Sequence, residues 1–215
     1  GTTGLAAQAI GAGNRAETVA LLSRALLIGG GAGLALILLQ VPLLTLAFAT
    51  STASAEVQAL AQDYTAIRIW SAPAIIASYG LTGWLIAAER TRAVLILQVL
   101  TNGVNIGLDV LFVMGLGWGV TGVAVATFCA EWAGLLTGLW FCRDAFATPA
   151  WRDWARVFDR ERLINMASVN TDIMIRSVLL LLVVVSFIFY FSPLFGEVPL
   201  AANQILMQFL TLTAY

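Results

Sequence analysis

The sequence predicts an all-α, polytopic transmembrane bundle, and three observations carry that prediction. Of 215 residues, 60 % are hydrophobic and 11 % charged, whereas a soluble domain carries roughly 25 % charged residues. The mean hydropathy is +0.90, and apolar runs long enough to cross a bilayer, roughly 20 residues each, recur between short polar breaks. The arginines, finally, fall on alternate breaks.

Taken in order, Gly1–Gly13 reads as the end of a span. The charge-free run Ala25–Ala55 holds a complete one, at about 25–49. Ile69–Ala88 is the second complete span. Ala93–Met114 is the third, interrupted only by Asp109, and Trp118–Cys142 is the fourth, interrupted only by Glu131. A fifth starts near Ser168 and runs to Gly196, and Glu197–Tyr215 reads as the start of another. The expectation is therefore five complete spans and two partial ones. The chain begins without Met, shows no signal peptide and stops in an apolar stretch, so both ends are expected inside spans.

The breaks carry turn chemistry. Residues 11–14 (Gly-Ala-Gly-Asn) and 115–119 are short and Gly-rich. Ser51–Ser54, followed by Glu56 and Asp63, is a longer polar link. Nine of the eleven arginines lie on three of the breaks: Arg15 and Arg24, Arg90 and Arg92, then Arg143, Arg152, Arg156, Arg160 and Arg162. By the positive-inside rule the loops at 11–24, 89–92 and 143–167 are cytoplasmic. The other two arginines, Arg68 and Arg176, lie at or inside span ends, and Arg68 is expected to snorkel outward.

Residues 143–163 form the main hydrophilic stretch and divide the chain into 1–142, a linker at 143–167, and 168–215. Trp151, Trp154 and Phe158 recur at i, i+3 and i+7, opposite Arg152, Asp153, Arg156 and Arg160, which predicts an amphipathic helix on the membrane surface. Pro73 should bend its helix, and Gly29–Gly31 with Gly33 should permit close helix packing.

Composition also excludes. The net charge is −1 and Lys is absent, which leaves nucleic-acid binding without an electrostatic basis. Without a single His the chain has no HExxH zinc site and no His-based nucleophile arrangement. An enzyme is not expected, nor is an organic cofactor. Cys129 and Cys142 fall in or beside one apolar span and read as packing residues rather than a disulfide framework.

Ionisable and amide groups inside spans are costly and are the first functional candidates. Gln98, Thr101, Asn102, Asn105 and Asp109 are spaced by three and four residues and form one polar stripe on a helix face. Asn and Thr there could simply bond a neighbouring helix, but a carboxylate such as Asp109 needs a cation, a proton or a fixed base beside it. Glu131 lies mid-span with Thr127 one turn earlier. It could carry a proton if it faces the bundle interior, or pair with Arg90 or Arg92 if it lies lower. Asp172 and Arg176, at i and i+4, are expected to pair as a structural link or a gate.

The segments GTTGLAAQAIGAGNRAE, RIWSAPAIIASYGLTGWLIAAERTR and, above all, LTNGVNIGLDVLFVMGLGWGVTGVAVAT resemble the multidrug and toxic compound extrusion (MATE) family, in its DinF-like branch. DIMIRSVLLLL and LAANQILMQF are similar to the start of that family's second half. The resemblance implies a twelve-helix, two-lobe transporter working by alternating access, of which this chain covers the end of helix 2 to the start of helix 8. It implies export of organic cations or other amphiphiles in antiport with H⁺ or Na⁺, by a monomer in a prokaryotic plasma membrane. The family's N-lobe coupling site uses an Asp on helix 1, an Asn and an Asp on helix 5, and a Thr on helix 6. Asn105, Asp109 and Thr127 resemble the last three, and would be metal ligands only under Na⁺ coupling; the helix 1 Asp has no counterpart in this chain. Two other readings stand beside this one: a lipid-linked oligosaccharide flippase, which would need clustered basic residues deep in its cavity, and a membrane protein that transports nothing.

Overall fold

A computed structural model describes residues 2–49 and 54–186, and no strand occurs among the described residues. Among the described residues five helices are long and apolar enough to cross a membrane, as many as the complete spans expected. The expected second partial span and the end of the fifth, residues 187–215, lie outside the described residues. The chain forms two compact units, Gly1–Leu163 and Ile164–Tyr215.

The first unit opens with α1 (Thr2–Gly11), a Gly-rich turn, and α2 (Arg15–Leu38). Asn14 caps α2 by accepting a hydrogen bond from the Glu17 amide at 3.1 Å, which fixes the helix start ten residues before the charge-free run. The helix stops at Leu39 and resumes as α3 (Gln40–Ala49). Pro42 explains the break: it has no N–H to offer the carbonyl of Leu38, and its ring crowds that carbonyl.

Ala55–Arg68 (α4), a 3₁₀ turn at Ile69–Ser71 and α5 (Ala72–Ala87) follow as one 33-residue helical run. At 1.5 Å per residue this run is about 50 Å long, well beyond a hydrocarbon core of roughly 30 Å. Its first part, with Glu56, Gln58, Gln62 and Asp63, buries no residue. The polar link expected before the second span is therefore partly helical. The 3₁₀ turn precedes Pro73, whose missing N–H removes the i→i−4 bond to Ile69.

α5 is the centre of the unit and packs on α1, α2, α6 and α7. Its closest partner is α2, where Ala25, Gly29 and Gly33 share one face. A Cβ at Gly33 would lie 2.3 Å from the Pro73 Cα, and one at Gly29 2.7 Å from the Ala77 amide nitrogen. Only hydrogen fits, so the backbones touch. The buried Trp84 indole then donates to the Thr18 carbonyl at 2.8 Å, fastening α5 to α2 near its start.

α6 (Thr91–Asp109), a π-helical segment (Val110–Gly115) and α7 (Gly119–Phe141) form an antiparallel pair. Gly122 makes the turn compact: Phe112 and Trp118 stack at 5.1 Å, and a Cβ there would crowd both at 3.1 Å. The bulk of α6 faces outward with Leu95, Ile96, Val99 and Ile106 exposed, as a lipid-facing helix would.

Residues 143–163 depart from the expected amphipathic helix. They form α8 (Arg143–Phe146), a 3₁₀ turn (Pro149–Arg152), α9 (Trp154–Val157) and the start of α10 (Arg160–Ser186). Helix signals punctuate them too often for one helix. Pro149 cannot continue α8, the Asp153 carboxylate caps α9 through the Arg156 amide (3.2 Å), and Asp159 caps α10 through the Arg162 amide (3.0 Å). Trp154 and Phe158 are exposed, as expected, and stack on each other at 5.8 Å.

The second unit is described as far as Ser186 and consists of the remainder of α10. Its side chains from residue 171 to 183 are all exposed.

Candidate functional site

The predicted polar stripe on α6 splits in two. Gln98 and Asn102 are exposed, whereas Thr101, Asn105 and Asp109, at i, i+4 and i+8, are half-buried. Thr101 packs on α7 at Gly134, where an added Cβ would meet its hydroxyl at 2.5 Å. Asn105 Nδ2 donates to Thr127 Oγ1 at 3.1 Å, and that hydroxyl donates to the Val123 carbonyl at 2.9 Å. The structure thus brings together two of the residues singled out in sequence, from helices 22 positions apart.

Asp109 differs from its neighbours. Its Oδ1 is buried and, among the described residues, has no hydrogen-bond partner, a condition shared only with the Thr101 hydroxyl. A buried polar atom without a partner forfeits its full hydration, about 1–3 kcal/mol and more for a charged group. Asp109 is also the last α-helical residue before the π-helical segment, a rare geometry frequent at functional sites.

Glu131 is placed elsewhere. Its Oε2 lies 2.6 Å from Arg68 Nη1, with Ser71 Oγ accepting from the same nitrogen at 3.2 Å. Neither Arg90 nor Arg92 reaches it. Arg90 instead bonds the Phe141 carbonyl at 2.8 Å and Asp144 at 3.3 Å. The expected snorkelling of Arg68 is likewise overturned, because α4 continues α5 outward and leaves Arg68 inside a helical run with a carboxylate in reach. The two side chains are 24 % and 18 % exposed, so an unpaired charge at either would be poorly hydrated.

Asp172 and Arg176 do not form the expected pair. Both are exposed on α10, and no ion pair joins them among the described residues.

One cluster went unread in the sequence. Arg24 is 1 % exposed and each guanidinium nitrogen has a partner: Glu17 at 2.7 Å, the Val157 carbonyl at 2.9 Å and the Arg156 carbonyl at 2.6 Å. Glu17 also meets Arg156 at 3.8 Å and bonds Arg162. The signal was present, since Glu17 and Arg24 sit two turns apart on one face of α2, but their partners are more than 130 positions away. Cys142 is buried and Cys129 half-buried, both as free thiols.

Residues 1–111 match the family described as MatE. The chain belongs to the MATE family. It is also 39 % identical, over its whole length, to DNA damage-inducible protein F of Escherichia coli (strain K12). The match takes in 47 % of that protein, so the chain spans about half the length of this curated relative. No solved structure matches it. MATE proteins are membrane transporters, and the helices described above fit an integral membrane protein.

Proposed function

We propose that residues 1–142 form most of the first lobe of an efflux antiporter for organic cations or amphiphiles, and that Asp109 is its coupling carboxylate. The observation that carries the reading is the buried, partnerless Asp109 oxygen beside the Asn105–Thr127 hydrogen bond. A carboxylate in that position gains a partner when it binds a proton or a cation, so its occupancy can bias the packing of α6 against α7. Alternating access then follows from exchange: substrate and ion favour different arrangements of the lobe.

The same geometry favours a proton over Na⁺. The Asn105 amide and the Thr127 hydroxyl satisfy each other and the Val123 carbonyl, and Na⁺, as a hard cation, prefers several oxygen ligands. A proton needs only the carboxylate. If Na⁺ is bound, Asp109, Asn105 Oδ1 and Thr127 Oγ1 would hold it, and the ion would supply only charge to that seam. Glu131 serves as the brace of Arg68 rather than as a carrier, which leaves the proton to Asp109. The arginine-rich loops face the cytoplasm in this reading.

The test uses the full-length protein in everted vesicles. A proton gradient without Na⁺ should drive export of a cationic dye, and Asp109→Asn should abolish it at unchanged protein level. Strict dependence on Na⁺ would sink the proton assignment, and wild-type export by Asp109→Asn would sink the coupling role.

A further inference from the structure

A cavity of about 300 Å³ opens at the arginine-rich end of the first unit, where the α1–α2 turn, the end of α5 and α8 converge. That volume is at the lower end of small-ligand sites, roughly 300–1,000 Å³. Its floor is apolar, with Ile10 and the buried Trp84 among its walls, and its polar groups are Arg15, Arg90, Asp144 and Thr18. The two guanidiniums differ. Arg90 is anchored by the Phe141 carbonyl at 2.8 Å and bonds Asp144 at 3.3 Å, while its charge sits 5.8 Å from the Trp84 ring centre. The Arg15 guanidinium has no acceptor among the described residues. Glu17, two positions on, is committed to Arg24, Arg156 and Arg162 and does not neutralise it. With Asp144 counted, the cavity keeps one net positive charge.

We infer that this cavity binds a phosphodiester, supplied by the headgroup of an anionic phospholipid. The chemistry is that of a single-charged anion: Arg15 offers a free fork of donors, and Arg90 supplies a second that its backbone anchor holds in place. The apolar floor suits the glycerol and first acyl carbons, which a soluble anion would leave uncovered. The position suits a lipid as well, because the cavity lies at the ends of membrane-spanning helices, on the face carrying most of the arginines. A bound headgroup would tie the α1–α2 turn to α8, adding to the Trp84–Thr18 bond that joins α5 to α2 and the Arg90–Asp144 pair that joins the end of α5 to α8.

The experiment uses the purified full-length transporter, stripped of lipid in detergent and reloaded with phosphatidylglycerol or phosphatidylcholine at equal ratio, with retained lipid counted by native mass spectrometry. Phosphatidylglycerol should be retained preferentially, and Arg15→Gln should weaken its retention about tenfold, the worth of one charge-assisted contact. Arg92→Gln, an exposed arginine outside the cavity, should leave retention unchanged. Equal retention of both lipids, an unaffected Arg15→Gln protein, or an equal loss in Arg92→Gln would each overturn the proposal. Displacement of phosphatidylglycerol by millimolar inorganic phosphate would overturn the lipid source and assign the cavity to a soluble phosphate.

Discussion

Two polar regions of the first unit contain half-buried carboxylates, and they are finished differently. Around Glu17 the charges are met: three arginines converge on one carboxylate, and Arg24 also donates to the carbonyls of Arg156 and Val157. Between α6 and α7, Asn105 and Thr127 satisfy each other while Asp109 Oδ1 and the Thr101 hydroxyl are left without partners. A satisfied cluster fixes one arrangement and resists change. An unsatisfied one stores a cost that a ligand or a proton can remove. Under the proposed function the first region is structural and the second takes part in exchange, with Arg68–Glu131 on the structural side because both charges are met.

Substitutions that break the contrast should differ in kind as well as in size. Arg24→Met should destabilise the full-length protein most, by about 3–5 kcal/mol, because it removes the one buried arginine of the three around Glu17 and orphans two carbonyls; the thermal unfolding midpoint in detergent reads this directly. Gly33→Ala comes next, at about 1–3 kcal/mol, since its methyl would press on the Pro73 backbone. If the α2–α5 contact relaxes freely, the midpoint will not move.

Glu131→Gln sharpens the comparison. Alone it should cost about 1–3 kcal/mol by leaving Arg68 unpaired, and the double variant with Arg68→Met should recover part of that loss. Additive losses would mean that the pair does not interact energetically. The smallest effect on stability belongs to Asp109→Asn, within about 0.5 kcal/mol of wild type or slightly stabilising, because it removes a buried charge that has no partner to lose. That variant should nonetheless lose export entirely. A large drop in its unfolding midpoint would show that Asp109 is held by contacts and would return it to the structural class.

The candidate seam was readable in part because a helix repeats itself. Thr101, Asn105 and Asp109 share a face by spacing alone, and the resemblance pointed to Thr127 as their partner across the turn. The same spacing rule failed for Gln98 and Asn102, which share the stripe but turn outward, because a stripe several residues wide exceeds what one neighbouring helix can cover. It failed for Asp172 and Arg176 too, since i, i+4 spacing permits a pair without enforcing it. In the linker the aromatic periodicity was real, yet Pro149 and the caps at Asp153 and Asp159 outweighed it.

The sequence by itself determined the membrane class, the five complete spans found among the described residues and the residues too polar for lipid, because hydropathy and helical period act over a few turns and need no knowledge of neighbours. Tertiary structure alone decided which charges meet. Glu131 found Arg68 across 63 positions, and Arg24 found the chain at Arg156 and Val157 across more than 130. Such partners depend on how far α4 extends, where Pro42 and Pro149 stop their helices and how closely Gly29 and Gly33 let α2 approach α5. Those are properties of packed backbones, and they decide whether a buried charge becomes a brace or stays open for exchange.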